Sequence, residues 1–184
     1  GNNPFGFGLP NPSGDPFMLD MAMSVVARAK IRSALKDGED IPDSWATDRH
    51  GNPTTDPAEA LNGFLQTVGG HKGYGLALVV DLIAGLLSGA AYLSHVKSWV
   101  DTPEKPQNLG HYFILIDVGR LGPPDWLEAR LADFTSILRD TPSYSPNKPV
   151  LVPGELEMRA FRQTQSCGIE MDRELVNELV RLFP

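Results

Sequence analysis

Apolar positions along the chain change spacing several times, and each change marks an element. Residues 1–16 are rich in Pro, Gly and Asn, which suits a loop crossing the surface. Phe17-Met18-Leu19-Asp20 is a short apolar run with the look of a buried strand end. Residues 21–35 read as a helix, with Ser24 as its N-cap and Val25, Val26, Ala29 and Ile31 available for packing. Asp37-Gly38 stops it, because glycine takes the left-handed conformation that closes a helix. Residues 39–62 hold turns (Ile41-Pro42, then Asp48 with Gly51-Asn52-Pro53, then Thr54-Thr55-Asp56-Pro57) and a short helix near residues 58–61.

The second half is more apolar. Residues 74–93 could be long enough to raise a membrane span, but Asp81 lies in the middle and Gly85 and Gly89 interrupt the run. A lone carboxylate near a bilayer centre is costly, so a helix buried in a soluble core is expected instead. A Pro-rich excursion over residues 101–108 follows. His111-Tyr112-Phe113-Ile114-Leu115-Ile116-Asp117 then reads as the clearest strand, buried on both faces. Residues 124–139 form an amphipathic helix with Leu127, Leu131, Phe134 and Leu138 on one face. Residues 148–152 are extended, residues 159–167 extend a helix, and residues 172–183 close the chain with a Leu175, Val176, Leu179 and Leu182 stripe. Helices and strands mix without a regular β-α-β alternation. The expected class is α/β in the broad sense, an α+β-like mixed sheet flanked by helices and not a doubly wound fold.

Composition narrows the function. At 184 residues there is room for one domain with a real core and a smaller appendage. A net charge of −7 argues against nucleic acid and against an anionic membrane as partner. With Cys167 the single cysteine, no internal disulfide forms, and a reducing, cytoplasmic setting is expected. Cys167 has no base beside it in sequence and reads as a buried, inert thiol. No secretory signal opens the chain. The start, Gly1-Asn2-Asn3-Pro4-Phe5, has no initiator Met and reads like the middle of a larger protein.

Chemistry concentrates at Gly69-Gly70-His71-Lys72-Gly73-Tyr74-Gly75-Leu76. A glycine-rich turn lets backbone N–H groups approach an anion, the helix start adds partial positive charge, and Lys72 adds a full one. A phosphate or a nucleotide pyrophosphate needs all three; a plain turn with a solvated Lys is the bland alternative. The spacing is neither that of the P-loop nor Gly-x-Gly-x-x-Gly. Asp20, ending an apolar run and opening a helix, could accept bonds from ribose hydroxyls or simply cap the helix. His71 could donate to a phosphate or stand exposed in the turn. Asn108 and His111 flank Gly110 before the strongest strand and could line a pocket mouth, or merely connect loop to strand. Pro153-Gly154-Glu155 would present backbone amides and one carboxylate, or form a turn with a solvated Glu. His50, His71, His95 and His111 show no metal-ligand spacing, so no metal is expected. A serine hydrolase is disfavoured because no Gly-x-Ser-x-Gly occurs.

Taken in order, several blocks resemble the type-2 malate/L-lactate dehydrogenase family. They are Gly1-Asn2-Asn3-Pro4-Phe5; Leu19-Asp20-Met21-Ala22-Met23-Ser24-Val25-Val26-Ala27-Arg28; Ile41-Pro42 with Trp45-Ala46; and Gly51-Asn52-Pro53-Thr54-Thr55-Asp56-Pro57. The run over residues 69–76, Gly110-His111-Tyr112-Phe113-Ile114 and Pro153-Gly154-Glu155 complete the match, which spans nearly the whole chain. The resemblance implies a non-Rossmann, NAD- or NADP-dependent oxidoreductase acting between 2-hydroxy acids and 2-oxo acids, or on imino acids. It implies a cofactor-binding segment at Met18, Leu19, Asp20, Met21, Ala22, Met23 and Ser24, a second contact at His71 and Lys72, and a third at Pro153, Gly154 and Glu155. The same resemblance favours a cofactor or supporting active-site role for Asp20, while Asn108 and His111 are candidate substrate contacts from their place before the strongest strand.

The departure is as informative. The family's proton-transfer His stands in a Ser-His-Gly motif near the N-terminus, and no Ser-His-Gly occurs here. No catalytic His is therefore expected within this chain. The expected division is a cofactor-binding domain over residues 1–155 and a C-terminal helical segment over residues 156–184 that packs with an N-terminal domain supplied separately or by a companion chain. A homodimer is implied by analogy with the family. The alternative is a nucleotide-binding module without turnover, and a third reading is an interaction protein with a decayed site.

Overall fold

The computed structural model describes residues 3–100, 102–145 and 147–183. Gly1 and Asn2 of the N-terminal block and Asp101 of the Pro-rich excursion lie outside them. The chain divides into two compact units: one takes Asp20–Ile116 with the N-terminal residues through Phe7, the other Gly8–Leu19 with the residues from Asp117 onward. Helix and strand are mixed, as expected, and the named strands form two two-stranded sheets. The first pairs β1 (Phe5–Leu9) with β2 (Phe17–Met21). β1 corrects the expectation of a loop: Phe5-Gly6-Phe7-Gly8-Leu9 carries apolar residues at alternate positions, a period of two that the surrounding Pro and Gly obscure.

In the first unit the helix expected from residue 21 begins later, as α1 (Arg28–Asp37). Met21 still belongs to β2, and Ser24 is no N-cap. Its hydroxyl donates to the Val26 carbonyl at 2.8 Å, and its backbone bridges to Thr67. The stop is as expected, with Gly38 at φ 70°. Within the packing set, Val26 and Ile31 are buried while Val25 and Ala29 face outward. Asp56 caps α2 (Pro57–Asn62) through the Ala58 N–H at 2.7 Å, and Pro57 supplies a preset first helical φ. β3 (Ala46–Thr47) and β4 (Phe64–Leu65) pair antiparallel, with Ala46 opposite Leu65. Val26, Ile31, Ile41, Ala46 and Ala60 form the core between these elements, packed round by Ala34, Trp45, Leu61 and Leu65. The Arg28 guanidinium donates to the Leu61 carbonyl, tying α1 to the end of α2.

The most apolar stretches are not where burial was expected. α3 (Gly70–Asp81) runs into a π-helical turn, Leu82–Leu86, and Tyr74, Leu76, Val79, Leu82 and Leu86 are all exposed. No helix among the described residues is long and apolar enough to cross a membrane. Asp81 is held within the unit: it accepts from the Asn3 amide at 2.6 Å and from the Leu93 N–H at 3.1 Å. The run at residues 111–117 forms no strand either, and Leu115 is 90% exposed. An apolar run becomes a buried strand only when neighbouring strands supply hydrogen-bond partners, and no described strand lies beside this one.

The second unit holds α4 (Trp126–Asp140), α5 (Glu155–Cys167) and α6 (Arg173–Leu182). On α4, Leu131 is buried and Leu127 and Leu138 half-buried, but Phe134 is exposed. α5 starts four residues before the expected 159. Residues 148–152 lead into it without pairing as a strand. The α6 stripe of Leu175, Val176, Leu179 and Leu182 faces outward, and Cys167 is exposed where a buried thiol was expected.

Candidate functional site

Each unit holds its own part of the expected cofactor segments, and each is described by itself. In the first unit, Asp20 and Met21 end β2, and Met23 and Ser24 follow in extended backbone against residues 66–68. The Val25 N–H donates to the Gln66 carbonyl at 2.9 Å, and the Val68 N–H donates to the Met23 carbonyl at 3.1 Å. That pairing delivers the chain directly into the Gly69-Gly70 turn. Both glycines have positive φ, 68° and 59°, a pair of left-handed residues that side chains would strain. His71 and Lys72 thus sit in the first turn of α3 itself, not in a loop before it, and both side chains are exposed.

The first helical turn leaves donors over. The Gly70 N–H is used by the Thr67 carbonyl and the Gly73 N–H by Gly69, while those of His71 and Lys72 find no acceptor among the described residues. The Lys72 ammonium has no ion-pair partner among them either. Gly73 is buried, and a Cβ there would fall on the Val68 carbonyl oxygen, so the helix start can seat against residues 67–68 only with glycine. A hollow of about 460 Å³ opens beside this turn, lined in part by Val25, Asp43, Ser44, Gln66, Gly69 and Gly70.

Asp20 is exposed on β2, eight residues before α1, so it is not the helix cap considered from sequence. Asn108 adopts a left-handed φ of 52°, and its carbonyl accepts from the Ala91 N–H at 2.9 Å. Two residues on, Gly110 leaves no room for a Cβ against the Ala84 carbonyl and the Ser88 hydroxyl. His111 is exposed, with its ring 6.3 Å from that of Phe113. Neither Asn108 nor His111 lines the hollow.

In the second unit the Met18 N–H donates to the Pro153 carbonyl at 3.1 Å. Gly154, at φ 97°, comes so close that a Cβ would stand 3.1 Å from the Met18 nitrogen. Glu155 turns back on its own chain. One oxygen accepts from the Val152 N–H at 2.8 Å and the other from Arg139 at 2.7 Å, with Arg159 at 3.7 Å. The Val152 bond, against the opposing effect of burial and with help from the two guanidiniums, holds the Glu155 carboxyl below its ordinary range. This carboxylate is occupied in shaping the Pro153-Gly154 turn. Asp48 has a similar role in the first unit: Asn52, by side chain and backbone, and the His50 N–H hold its carboxyl low and fix the loop before α2.

Among the described residues no three His, Cys, Asp or Glu side chains gather as a metal site. Asp43, Ser44, Gln66 and Thr67 escaped the sequence reading. They carry no motif; Gln66 and Thr67 lead straight into the glycine turn, and the β3–β4 pairing brings Asp43 and Ser44 beside it.

The sequence profile of the family described as Malate/L-lactate dehydrogenase matches residues 1–180. The chain is 36% identical over 180 residues to a malate/(S)-sulfolactate dehydrogenase of Methanothermus fervidus, covering 97% of this chain and 51% of that protein. It is 40% identical over 185 residues to a Delta(1)-pyrroline-2-carboxylate reductase of Ancylobacter novellus, covering 100% of this chain and 53% of the relative. The solved sulfolactate dehydrogenase from Methanocaldococcus jannaschii superposes with a TM-score of 0.84 at 33% identity, over 97% of this chain and 51% of that one. The chain spans about half the length of the curated relatives it matches.

Proposed function

The chain belongs to the malate/L-lactate dehydrogenase family, and on that footing we propose that it forms the cofactor-binding part of an NAD- or NADP-dependent oxidoreductase. The observation that carries this reading is the start of α3: two left-handed glycines, two N–H groups without acceptors among the described residues, and the exposed Lys72, which has no ion-pair partner among them. This is a fitting cradle for a pyrophosphate. Met18–Ser24, His71-Lys72 and Pro153-Gly154-Glu155 are proposed as the cofactor segments, with Asp20 in a supporting role and Asn108 and His111 towards the substrate. A nicotinamide dinucleotide, when bound, supplies the hydride. This chain's own residues neutralise phosphate charge and hold backbone donors in place. The proposed cofactor domain is residues 1–155, with residues 156–184 packing against a further segment. That segment, in this chain's own polypeptide or a companion, would bring the proton-transfer His, since none of the four here stands in Ser-His-Gly. The dinucleotide site is proposed as non-Rossmann, because the glycine turn lacks Gly-x-Gly-x-x-Gly. A homodimer in the cytoplasm completes the proposal by analogy with the family.

The substrate is proposed as a malate- or lactate-like 2-hydroxy acid and its 2-oxo partner. The 40% identity to a pyrroline-2-carboxylate reductase favours a second reading, reduction of a cyclic 2-imino acid. A nucleotide-binding module without turnover is the remaining alternative.

Titration of the chain with NADH and NADPH, followed by cofactor fluorescence, tests the site. Saturable binding is expected, and Lys72→Ala is expected to weaken it about tenfold through loss of one charge-assisted contact. Absence of binding by the unaltered chain would overturn the reading. An unchanged Lys72→Ala would remove Lys72 from it.

A further inference from the structure

The hollow beside the glycine turn carries chemistry that the anion cradle does not. Gly69 and Gly70 belong to both, so a ligand whose phosphate rests on the turn has its neighbouring group in the hollow. At about 460 Å³ the space falls within the usual range of small-molecule sites. The Asp43 carboxylate, Ser44 hydroxyl and Gln66 amide line it, and none of the three makes a side-chain hydrogen bond or ion pair among the described residues. An acceptor-only carboxylate beside groups that both donate and accept matches vicinal hydroxyls. Val25 and Pro53 add apolar surface that a planar base can cover.

We infer that this hollow takes the adenosine ribose of the dinucleotide, with Asp43 accepting from its hydroxyls, and that the protein prefers NAD(H) to NADP(H). The inference rests on the dinucleotide reading above. The exposure of the lining assigns the adenosine end. Asp43, Ser44, Pro53, Gly69 and Gly70 are all exposed, so the hollow is wet, whereas hydride transfer at the nicotinamide end needs water excluded. A 2′-phosphate, present only on the adenosine ribose of NADP(H), would bring roughly two negative charges against the Asp43 carboxylate. At close range, even in high dielectric, such repulsion amounts to about tenfold in affinity.

The test is an equilibrium titration of the 184-residue chain with NADH and NADPH, repeated with Asp43→Asn and Lys72→Ala. Asp43 is exposed and outside the core, so circular dichroism of Asp43→Asn should match the unaltered chain. NADH is expected to bind about tenfold tighter than NADPH, Asp43→Asn to narrow that gap, and Lys72→Ala to weaken both cofactors alike. Equal binding of the two cofactors, or a gap that Asp43→Asn leaves intact, overturns this inference while leaving the dinucleotide site standing. Binding of neither cofactor removes both.

Discussion

The backbone N–H of Met18 donates to the carbonyl of Pro153 at 3.1 Å, joining the first and third of the expected cofactor segments. Gly154 makes that approach feasible, since its missing side chain leaves room for Met18 and its φ of 97° turns the chain into α5. Gly154→Ala would meet both obstacles, a left-handed backbone and a Cβ at 3.1 Å from the Met18 nitrogen. A loss of about 1–2 kcal/mol is expected, measurable as a lower urea midpoint with unchanged slope. An unchanged midpoint would mean that the Met18–Pro153 pairing has little weight in solution.

Glu155 ties stability to pH. Its folded pKa lies below the ordinary 4.5, so its bonds contribute in full above that value and are lost as pH falls through the lower one. The unaltered chain should therefore lose stability on acidification below about pH 4.5, in a step that Glu155→Gln lacks. The size should be about 1 kcal/mol, because the Arg139 and Arg159 side chains are largely exposed and screened. Thermal melts of both proteins across that window decide it.

Two glycines of α3 should respond in opposite directions. Gly73→Ala forces a Cβ onto the Val68 carbonyl and should cost roughly 2–4 kcal/mol while also weakening dinucleotide binding. Gly75→Ala meets nothing within 4 Å and should stabilise the helix by about 0.5–1 kcal/mol through backbone entropy. Equal melting temperatures for the two variants would contradict the seating of α3 on residues 67–68.

Leu115 offers a check on the exposed apolar run. At 90% exposure, Leu115→Asp should change the stability of this chain by less than about 0.5 kcal/mol and reduce binding of a hydrophobic dye. Amide hydrogens of residues 112–116 should exchange rapidly, since no strand protects them. Strong protection, or a large loss of stability, would show that the run is packed.

Much was legible from the residues alone where one short segment suffices to specify an outcome. The short helix near residues 58–61 is α2, Asp37-Gly38 ends α1, and the apolar stripe of residues 124–139 makes α4, because caps and helical spacing act within a few residues. The family was likewise legible, since its blocks lie in order along the chain. Other outcomes depended on distant partners. Met21 to Ala27 favoured a helix locally but became extended because Met23, Ser24 and Val25 pair with residues 66–68. Asp43 and Ser44 reached the glycine turn through another long-range pairing, that of β3 with β4. Residues 74–93 and 111–117 have the apolarity of buried elements, yet burial requires a covering surface, and this chain's described residues cover the first only in part and leave the second exposed.

The amino-acid sequence by itself determined the stop of α1, the amphipathic helices α4 and α6, the glycine-lysine turn and the family. Tertiary structure alone decided which extended segments pair, which apolar faces find cover and which unremarkable side chains border the turn. Capping and periodicity are local interactions, whereas strand pairing and burial exist only once remote parts of the chain have met.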